Sequence, residues 1–379
     1  MSDDAEILIP RDLLPRDGRF GSGPSKVQQR FVAELADAAP TFLGTSHRRP
    51  TVRDVVGRVR AGLHDLFSLP DGYEVLIGNG GSTTFWDVAS FGLVERRAQH
   101  VVIGEFSQKF AAVTTAAPHL RDPDVIETEP GLIPQPCRSN PDVDAYCFPH
   151  NETSTGVMLD VTRPVGTSAT DGLVLVDATS GAGGLRVDPA QFDVYYFAPQ
   201  KCFGGEGGLW LAAVSPAAVE RIERIAVSSR WRPASLDLGI ALGQSRLNQT
   251  YNTPALASLF LLARQVEWML DSGGLDAMAR RCDTSATALY GWAERHALAA
   301  PFVADPHYRS RVTATIDFDE RVDAALLASV LRANGILDTE PYRKLGRNQL
   351  RIAMFPNIEP DDIDRVTRCI DHVLERIVA

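Results

Sequence analysis

Apolar side chains fall at three- and four-residue spacing through residues 52–66, where Val55, Val59, Leu63 and Leu66 share one face. That period predicts an amphipathic helix. The short apolar run Tyr73-Glu-Val-Leu-Ile77 then predicts a buried strand, closed by the glycine turn Gly78-Asn-Gly-Gly81. A helix at 82–94, a strand at 100–103 and another helix from 107 onward continue the rhythm. Further apolar runs at 143–148, 173–176, 194–197 and 209–214 show no polar alternation, so they predict strands covered on both faces of a mostly parallel, mixed sheet of about six or seven strands.

Thr253-Pro254 predicts the start of a long helix, with Thr as cap and Pro at the first helical position, ending at Asp271-Ser-Gly-Gly274. Beyond it the pattern changes to helix 275–297, strand 311–318, helix 320–333, strand 349–354 and helix 360–377. The fold class is therefore α/β with a smaller α+β C-terminal unit. The expected division is a large domain, 28–275, and a small domain, 276–379, onto which an N-terminal arm, 1–27, returns.

Composition narrows the function. The chain has 379 residues, 44% hydrophobic and 23% charged, with a formal net charge of −10. That balance is ordinary for a globular protein, and an acidic surface repels nucleic acid. No apolar stretch approaches the roughly 20 residues of a membrane span. Met1-Ser-Asp-Asp-Ala-Glu6 has no secretory pattern. The five cysteines, Cys137, Cys147, Cys202, Cys282 and Cys369, are scattered and form neither a disulfide framework nor a metal-ligand spacing. A soluble cytoplasmic protein without a metal is expected. N-x-T sequons at Asn151 and Asn248 carry no glycosylation meaning in that compartment.

Asp177 ends the run at 173–176, and Lys201 stands just past the run at 194–197. Ligands in open α/β sheets sit at the carboxyl ends of strands. A lysine amine and a carboxylate at neighbouring strand ends suit pyridoxal 5′-phosphate, which needs the first for its aldehyde and the second for its pyridinium nitrogen. Singly, such residues are commonly solvated or cap a turn. The turn at Gly78–Thr83 could offer backbone N–H groups to a phosphate, although it matches neither common nucleotide-binding glycine motif.

Gly21-Ser-Gly-Pro24, Ser46-His47-Arg48, Gly80-Gly-Ser82, His150-Asn-Glu-Thr153, Gln200-Lys201 and Tyr251-Asn-Thr-Pro254 occur in the order found in phosphoserine aminotransferases. The chain resembles that family, particularly its actinobacterial branch, over nearly its full length. The resemblance implies the class V, fold type I architecture, a homodimer with shared active sites, and a place in L-serine biosynthesis. It also implies conversion of L-glutamate and 3-phosphohydroxypyruvate to 2-oxoglutarate and O-phospho-L-serine.

Carried over residue by residue, the resemblance makes Lys201 the covalent anchor and proton carrier, and Asp177 the partner of the ring nitrogen. Thr153 would meet the ring hydroxyl. Gly81, Ser82 and Gln200 would bind the cofactor phosphate, with Asn252 and Thr253 reaching in from the second subunit. Phe106 stands where many members carry a stacking tryptophan. Arg351 matches the arginine that binds the substrate α-carboxylate, and Ser22, His47 and Arg48 match other substrate-side positions.

The chain departs from other branches before Arg351, where a His-Arg pair gives way to Tyr342-Arg343-Lys344-Leu345-Gly346-Arg347. Arg343, Lys344 and Arg347 are the expected replacement for binding the substrate's distal anion. Cys202 stands where asparagine commonly follows the lysine. Rival readings are another fold type I enzyme, such as an alanine-glyoxylate aminotransferase or a cysteine desulfurase, and a non-catalytic ligand-binding relative.

Overall fold

The computed structural model describes residues 7–378. Nine strands precede the long helical connection: β1 (Glu74–Asn79), β2 (Ala98–Val102), β3 (Asp124–Glu127), β4 (Ala145–Pro149), β5 (Asn151–Glu152), β6 (Val157–Met158), β7 (Leu173–Asp177), β8 (Val194–Phe197) and β9 (Leu209–Val214). Seven of them form one sheet in the order β1-β9-β8-β7-β4-β2-β3, and β5 pairs with β6 as a separate hairpin. Within the large sheet only β9 runs against its neighbours.

Alternate side chains of each central strand enter different cores. Val174, Val176, Tyr195, Phe197, Leu209 and Leu211 pack on one face, whereas Leu173, Leu175, Val194, Tyr196, Trp210 and Ala212 pack on the other. Burial on both faces is why these runs show no polar alternation. The first core is closed by α1 (Gln29–Phe42), α2 (Pro50–Leu66) and α7 (Leu256–Asp271), and the second by α3 (Ser82–Gly92), α4 (Glu105–Ala116), α5 (Pro216–Ala226) and α6 (Leu238–Arg246).

After α7, Gly273 and Gly274 both take positive φ, turning the chain into α8 (Gly274–Arg295). An antiparallel sheet of β10 (Ala299–Pro301), β11 (Thr313–Phe318) and β12 (Gln349–Ala353) follows, packed with α8, α9 (Ala324–Ala333) and α10 (Pro360–Ile377). Ile9 and Phe20 of the N-terminal segment lie in this same apolar cluster. Leu337 N donates to Gly18 O at 2.7 Å and Ala353 N to Phe20 O at 3.0 Å. The first six residues of the expected arm lie outside the described residues.

Several boundaries differ from the pattern-based expectation. α7 begins at Leu256 with Ala255 as an N-cap that makes no side-chain bond, so neither Thr253 nor Pro254 starts the helix. α9 begins at Ala324, where the Asp323 carboxylate accepts from the backbone N–H groups of Ala325 and Leu326. That cap outweighs the weaker apolar pattern at 320–323. α1 escaped the periodicity argument because only Phe31 and Phe42 of it are buried. α5, which the apolar pattern did not predict, starts at Pro216 with Ser215 as its cap, the serine oxygen accepting from Ala218 N.

Candidate active site

β4, β7 and β8 are parallel neighbours, so their carboxyl ends open on the same edge of the sheet. Asp177 is the last residue of β7, and Lys201 lies in the turn that follows β8. The segment after β4 adds Asn151 and Thr153, while Arg351 comes from β12 of the smaller sheet. These side chains line one cavity of about 280 Å³ with Ser22, Gly81, Ser82, Phe106 and Gln200. The turn carrying Lys201 is held from the N-terminal segment: Ser25 Oγ donates to Lys201 O at 2.6 Å and Ser25 N to Gln200 O at 2.9 Å. Gly23 has φ of 130°, and a Cβ there would sit 2.8 Å from Lys201 Cε. Glycine is therefore demanded by both the backbone and the lysine stem.

Lys201 is only 7% exposed. Its Nζ donates to Thr153 Oγ1 at 2.7 Å and lies 5.3 Å from the centroid of the Phe106 ring. Burial and the neighbouring Arg351 charge push the amine down to about 8, against opposing help from Asp177 and Glu152. A lysine so placed reaches its neutral, nucleophilic form near physiological pH.

The Asp177 carboxylate is fixed on both oxygens. Oδ2 accepts from Trp86 Nε1 and from Tyr196 OH, each at 3.0 Å, and Oδ1 accepts from Thr179 N and Thr179 Oγ1. Burial and the Asp177 charge hold the Tyr196 hydroxyl well above its ordinary pKa, so it remains a donor. The four donors orient the carboxylate at the cavity wall. In the same cavity, Arg351 Nη1 donates to Thr153 O at 3.2 Å, and the guanidinium carbon lies 5.4 Å from the Tyr342 ring centroid. Arg351 Nε, Ser22 Oγ, Asn151 Oδ1 and Gln200 Oε1 are buried without a partner among the described residues. Buried polar atoms are normally bonded, so several unpaired around one cavity mark a place built for a polar ligand.

Comparison with known proteins gives this arrangement its relatives. Residues 130–339 match the family model described as aminotransferase class-V. A phosphoserine aminotransferase of a Nocardioides species is 59% identical over 371 residues, 98% of this chain and 99% of that protein. The chain belongs to the phosphoserine aminotransferase family. Its fold is also that of solved members. The phosphoserine aminotransferase of Cytophaga hutchinsonii superposes with a TM-score of 0.84 at 23% identity, covering 96% of this chain and 100% of that one. The PLP-bound phosphoserine aminotransferase of Trichomonas vaginalis gives 0.81 at 18% identity, with 94% and 100% coverage.

Not all the residues matched to phosphoserine aminotransferases converge within one chain. Lys201, Asp177, Gly81, Ser82, Phe106, Thr153, Gln200, Ser22 and Arg351 do. His47, Arg48, Asn252 and Thr253 form a second group outside the cavity: His47 Nδ1 lies 3.1 Å from Thr253 Oγ1, Arg48 bonds Gln249, and Asn79 bonds Asn252. Burial and the Arg48 charge lower the His47 pKa, and His47 Nε2 has no partner among the described residues. Thr253 thus faces a histidine and not the helix that its sequence context suggested it would cap.

The three cations before Arg351 also lie apart. Arg343 is exposed, Lys344 Nζ pairs with Glu105 at the start of α4, and Arg347 pairs with Asp317 and covers the Phe302 ring. Tyr342, unremarked in the sequence pattern, is the member of that segment that lines the cavity. Trp86, Thr179 and Tyr196 were likewise invisible, since a helix tryptophan or a strand tyrosine shows nothing in sequence of the carboxylate it will meet, and Asn151 stood in the His150-Asn-Glu-Thr153 motif without a role assigned to it. Cys202 is buried, donates to Ser180 O and has its thiol pushed well up by burial. All five cysteines are buried, which leaves no exposed thiolate for a desulfurase. Asn151 is buried too, so its sequon faces no solvent.

Proposed function

We propose that this chain is a pyridoxal-phosphate-dependent transaminase interconverting L-glutamate and 3-phosphohydroxypyruvate with 2-oxoglutarate and O-phospho-L-serine. The observation that carries the reading is Lys201 and Asp177 lining one cavity whose wall holds unpaired buried polar atoms. The donor set fits the cofactor. Gly81 is the N-cap of α3, and a Cβ there would meet nothing within 4 Å, which leaves room for a phosphate at the helix N-terminus beside Ser82 and Gln200. Phe106 offers a ring face, Thr153 a hydroxyl, and Asp177 an anion for a protonated ring nitrogen.

When bound, pyridoxal phosphate supplies an electron-withdrawing ring that stabilises negative charge at the substrate Cα. Lys201 Nζ, positioned by Thr153 Oγ1, would take the proton from that carbon and pass it to the cofactor's C4′, and would carry it the other way in the opposite half-reaction. Arg351 binds the α-carboxylate and so fixes which Cα–H bond faces Lys201. Ser22 adds a hydroxyl beside it. Arg343, Lys344 and Arg347 are proposed to receive the distal phosphate or side-chain carboxylate, after leaving their present partners where they have them.

His47, Arg48, Asn252 and Thr253 are proposed to complete the site of a second subunit in a homodimer, Asn252 and Thr253 at the cofactor phosphate and His47 and Arg48 on the substrate side. The division into domains 28–275 and 276–379, the latter with arm 1–27, is proposed on the same footing, as is a cytoplasmic location. No helix among the described residues is long and apolar enough to cross a membrane.

The test is 2-oxoglutarate production from L-glutamate with 3-phosphohydroxypyruvate, hydroxypyruvate or glyoxylate as acceptor. The phosphorylated acceptor should be preferred by kcat/KM. Preference for glyoxylate, with alanine as a better donor, would overturn the substrate assignment.

A further inference from the structure

Glu152 is 0% exposed, lies on β5 beside the cavity, and has no role in the chemistry above. A carboxylate this deep needs compensation. Among the described residues it has no direct ion pair. Oε2 accepts from Ser107 N at 3.0 Å and Ser107 Oγ at 2.9 Å. Oε1 accepts from Ser154 N at 3.2 Å, Ser154 Oγ at 2.7 Å and Phe106 N at 3.4 Å. The Phe106 and Ser107 amides belong to the first turn of α4, whose positive end favours an anion.

These bonds tie together parts of the site that come from distant stretches of chain. Phe106, whose ring lies near Lys201 Nζ, is held through its own amide. Thr153, which receives the Lys201 hydrogen bond and whose carbonyl receives Arg351, sits between Glu152 and Ser154. Close approach has been built in as well: a Cβ on Gly104 would fall 2.6 Å from Glu152 Cγ and 2.5 Å from Ser154 Oγ.

We propose that Glu152 is the positioning residue of this active site, one buried carboxylate that fixes Phe106, Thr153 and, through Thr153, Arg351 relative to Lys201. It acts through its neighbours and touches no substrate. The titratable and charged groups facing Lys201 are Arg351 from β12, Asp177 from β7, Glu152 from β5 and the adjacent Cys202 thiol, which burial keeps neutral. Glu152 also favours the charged form of Arg351.

The inference rests on the transaminase reading, and its test separates the two. Glu152→Gln keeps the volume but turns an amide N–H toward backbone N–H groups; Glu152→Asp keeps the charge but shortens the reach. Apoenzyme is titrated with pyridoxal phosphate by tryptophan fluorescence. Separately, the pH midpoint of reductive methylation at Lys201 in apoenzyme is followed by mass spectrometry. Glu152→Gln should bind the cofactor about ten-fold more weakly and move the Lys201 midpoint to lower pH. Glu152→Asp should weaken binding but leave the midpoint in place.

A Glu152→Gln protein that melts lower yet keeps both the wild-type affinity and midpoint would overturn the proposal. Should that variant fail to fold, Ser154→Ala and Ser107→Ala each strip one hydroxyl donor from the carboxylate, and unchanged cofactor affinity in both would overturn it equally. Wild-type protein that binds no pyridoxal phosphate would instead defeat the functional reading.

Discussion

Lys201 Nζ donates a 2.7 Å hydrogen bond to Thr153 Oγ1, so the amine is held in one direction within the cavity. The same Thr153 hydroxyl donates onward to Ser180 Oγ at 2.9 Å, and Ser180 Oγ to Asn151 O at 3.1 Å, which anchors the arrangement in the sheet edge. A relay fixed at both ends loses little entropy when substrate binds.

Replacing Lys201 by Ala should lower transamination by roughly 10³-fold or more, because both covalent attachment and the proton carrier are lost. Cofactor should then wash out on gel filtration, while retention in wild type is measured by absorbance. Full turnover by the Ala variant would remove Lys201 from the chemistry.

The Lys201 amine, lowered to about 8 by burial and by Arg351, sets a pH dependence. Its neutral fraction in apoenzyme should rise through about pH 8, well below an ordinary lysine, and capture of pyridoxal phosphate should accelerate over the same window. Folding favours its neutral form, so this residue alone makes stability rise with pH between about 8 and the unfolded value near 10.5. Global melting is a poor readout, because buried cysteines held above their ordinary pKa pull stability down as the unfolded thiols ionise. A stopped-flow capture midpoint that matched free lysine would contradict the geometry.

Asp177→Asn should leave cofactor bound but cut kcat by about 10²-fold or more, since the amide cannot hold a proton-bearing ring nitrogen as an ion pair. Tyr196→Phe removes one of four donors and should cost about tenfold at most. Equal kcat losses in the two variants would mean that the carboxylate matters only as a structural acceptor.

Arg351→Met should raise KM for both amino-acid and keto-acid substrates by about 30-fold or more, reflecting a lost charge-assisted bidentate contact. In the ligand-free protein the same change removes a partly buried guanidinium with an unpaired Nε, so the melting temperature of apoenzyme should hold or rise. A fall in melting temperature together with an unchanged KM would assign Arg351 to structure.

If Asn252 and Thr253 serve a partner's site, two inactive variants should rescue each other. Lys201→Ala mixed with the double variant Asn252→Ala, Thr253→Ala, under conditions that exchange subunits, should recover activity through hybrid dimers carrying one intact site. No recovery, with exchange demonstrated by mass, would place both residues in their own chain's chemistry.

The sequence alone determined the strands at 173–177, 194–197 and 209–214 and the last helix, because an unbroken apolar run or a strict helical period admits few other placements. Asp177 and Lys201 were legible too, since a strand end is a local feature. Which side chains would surround them was decided by tertiary structure. Trp86 meets Asp177 across 91 residues, Arg351 reaches Thr153 across 198 and Lys344 finds Glu105 across 239. Such meetings depend on strand order and on two sheets closing over one edge, and nothing in local periodicity encodes either. The basic segment before Arg351 shows the difference: its charges are plain in the sequence, but only the folded chain turns Tyr342 into the cavity and commits Lys344 to Glu105 and Arg347 to Asp317.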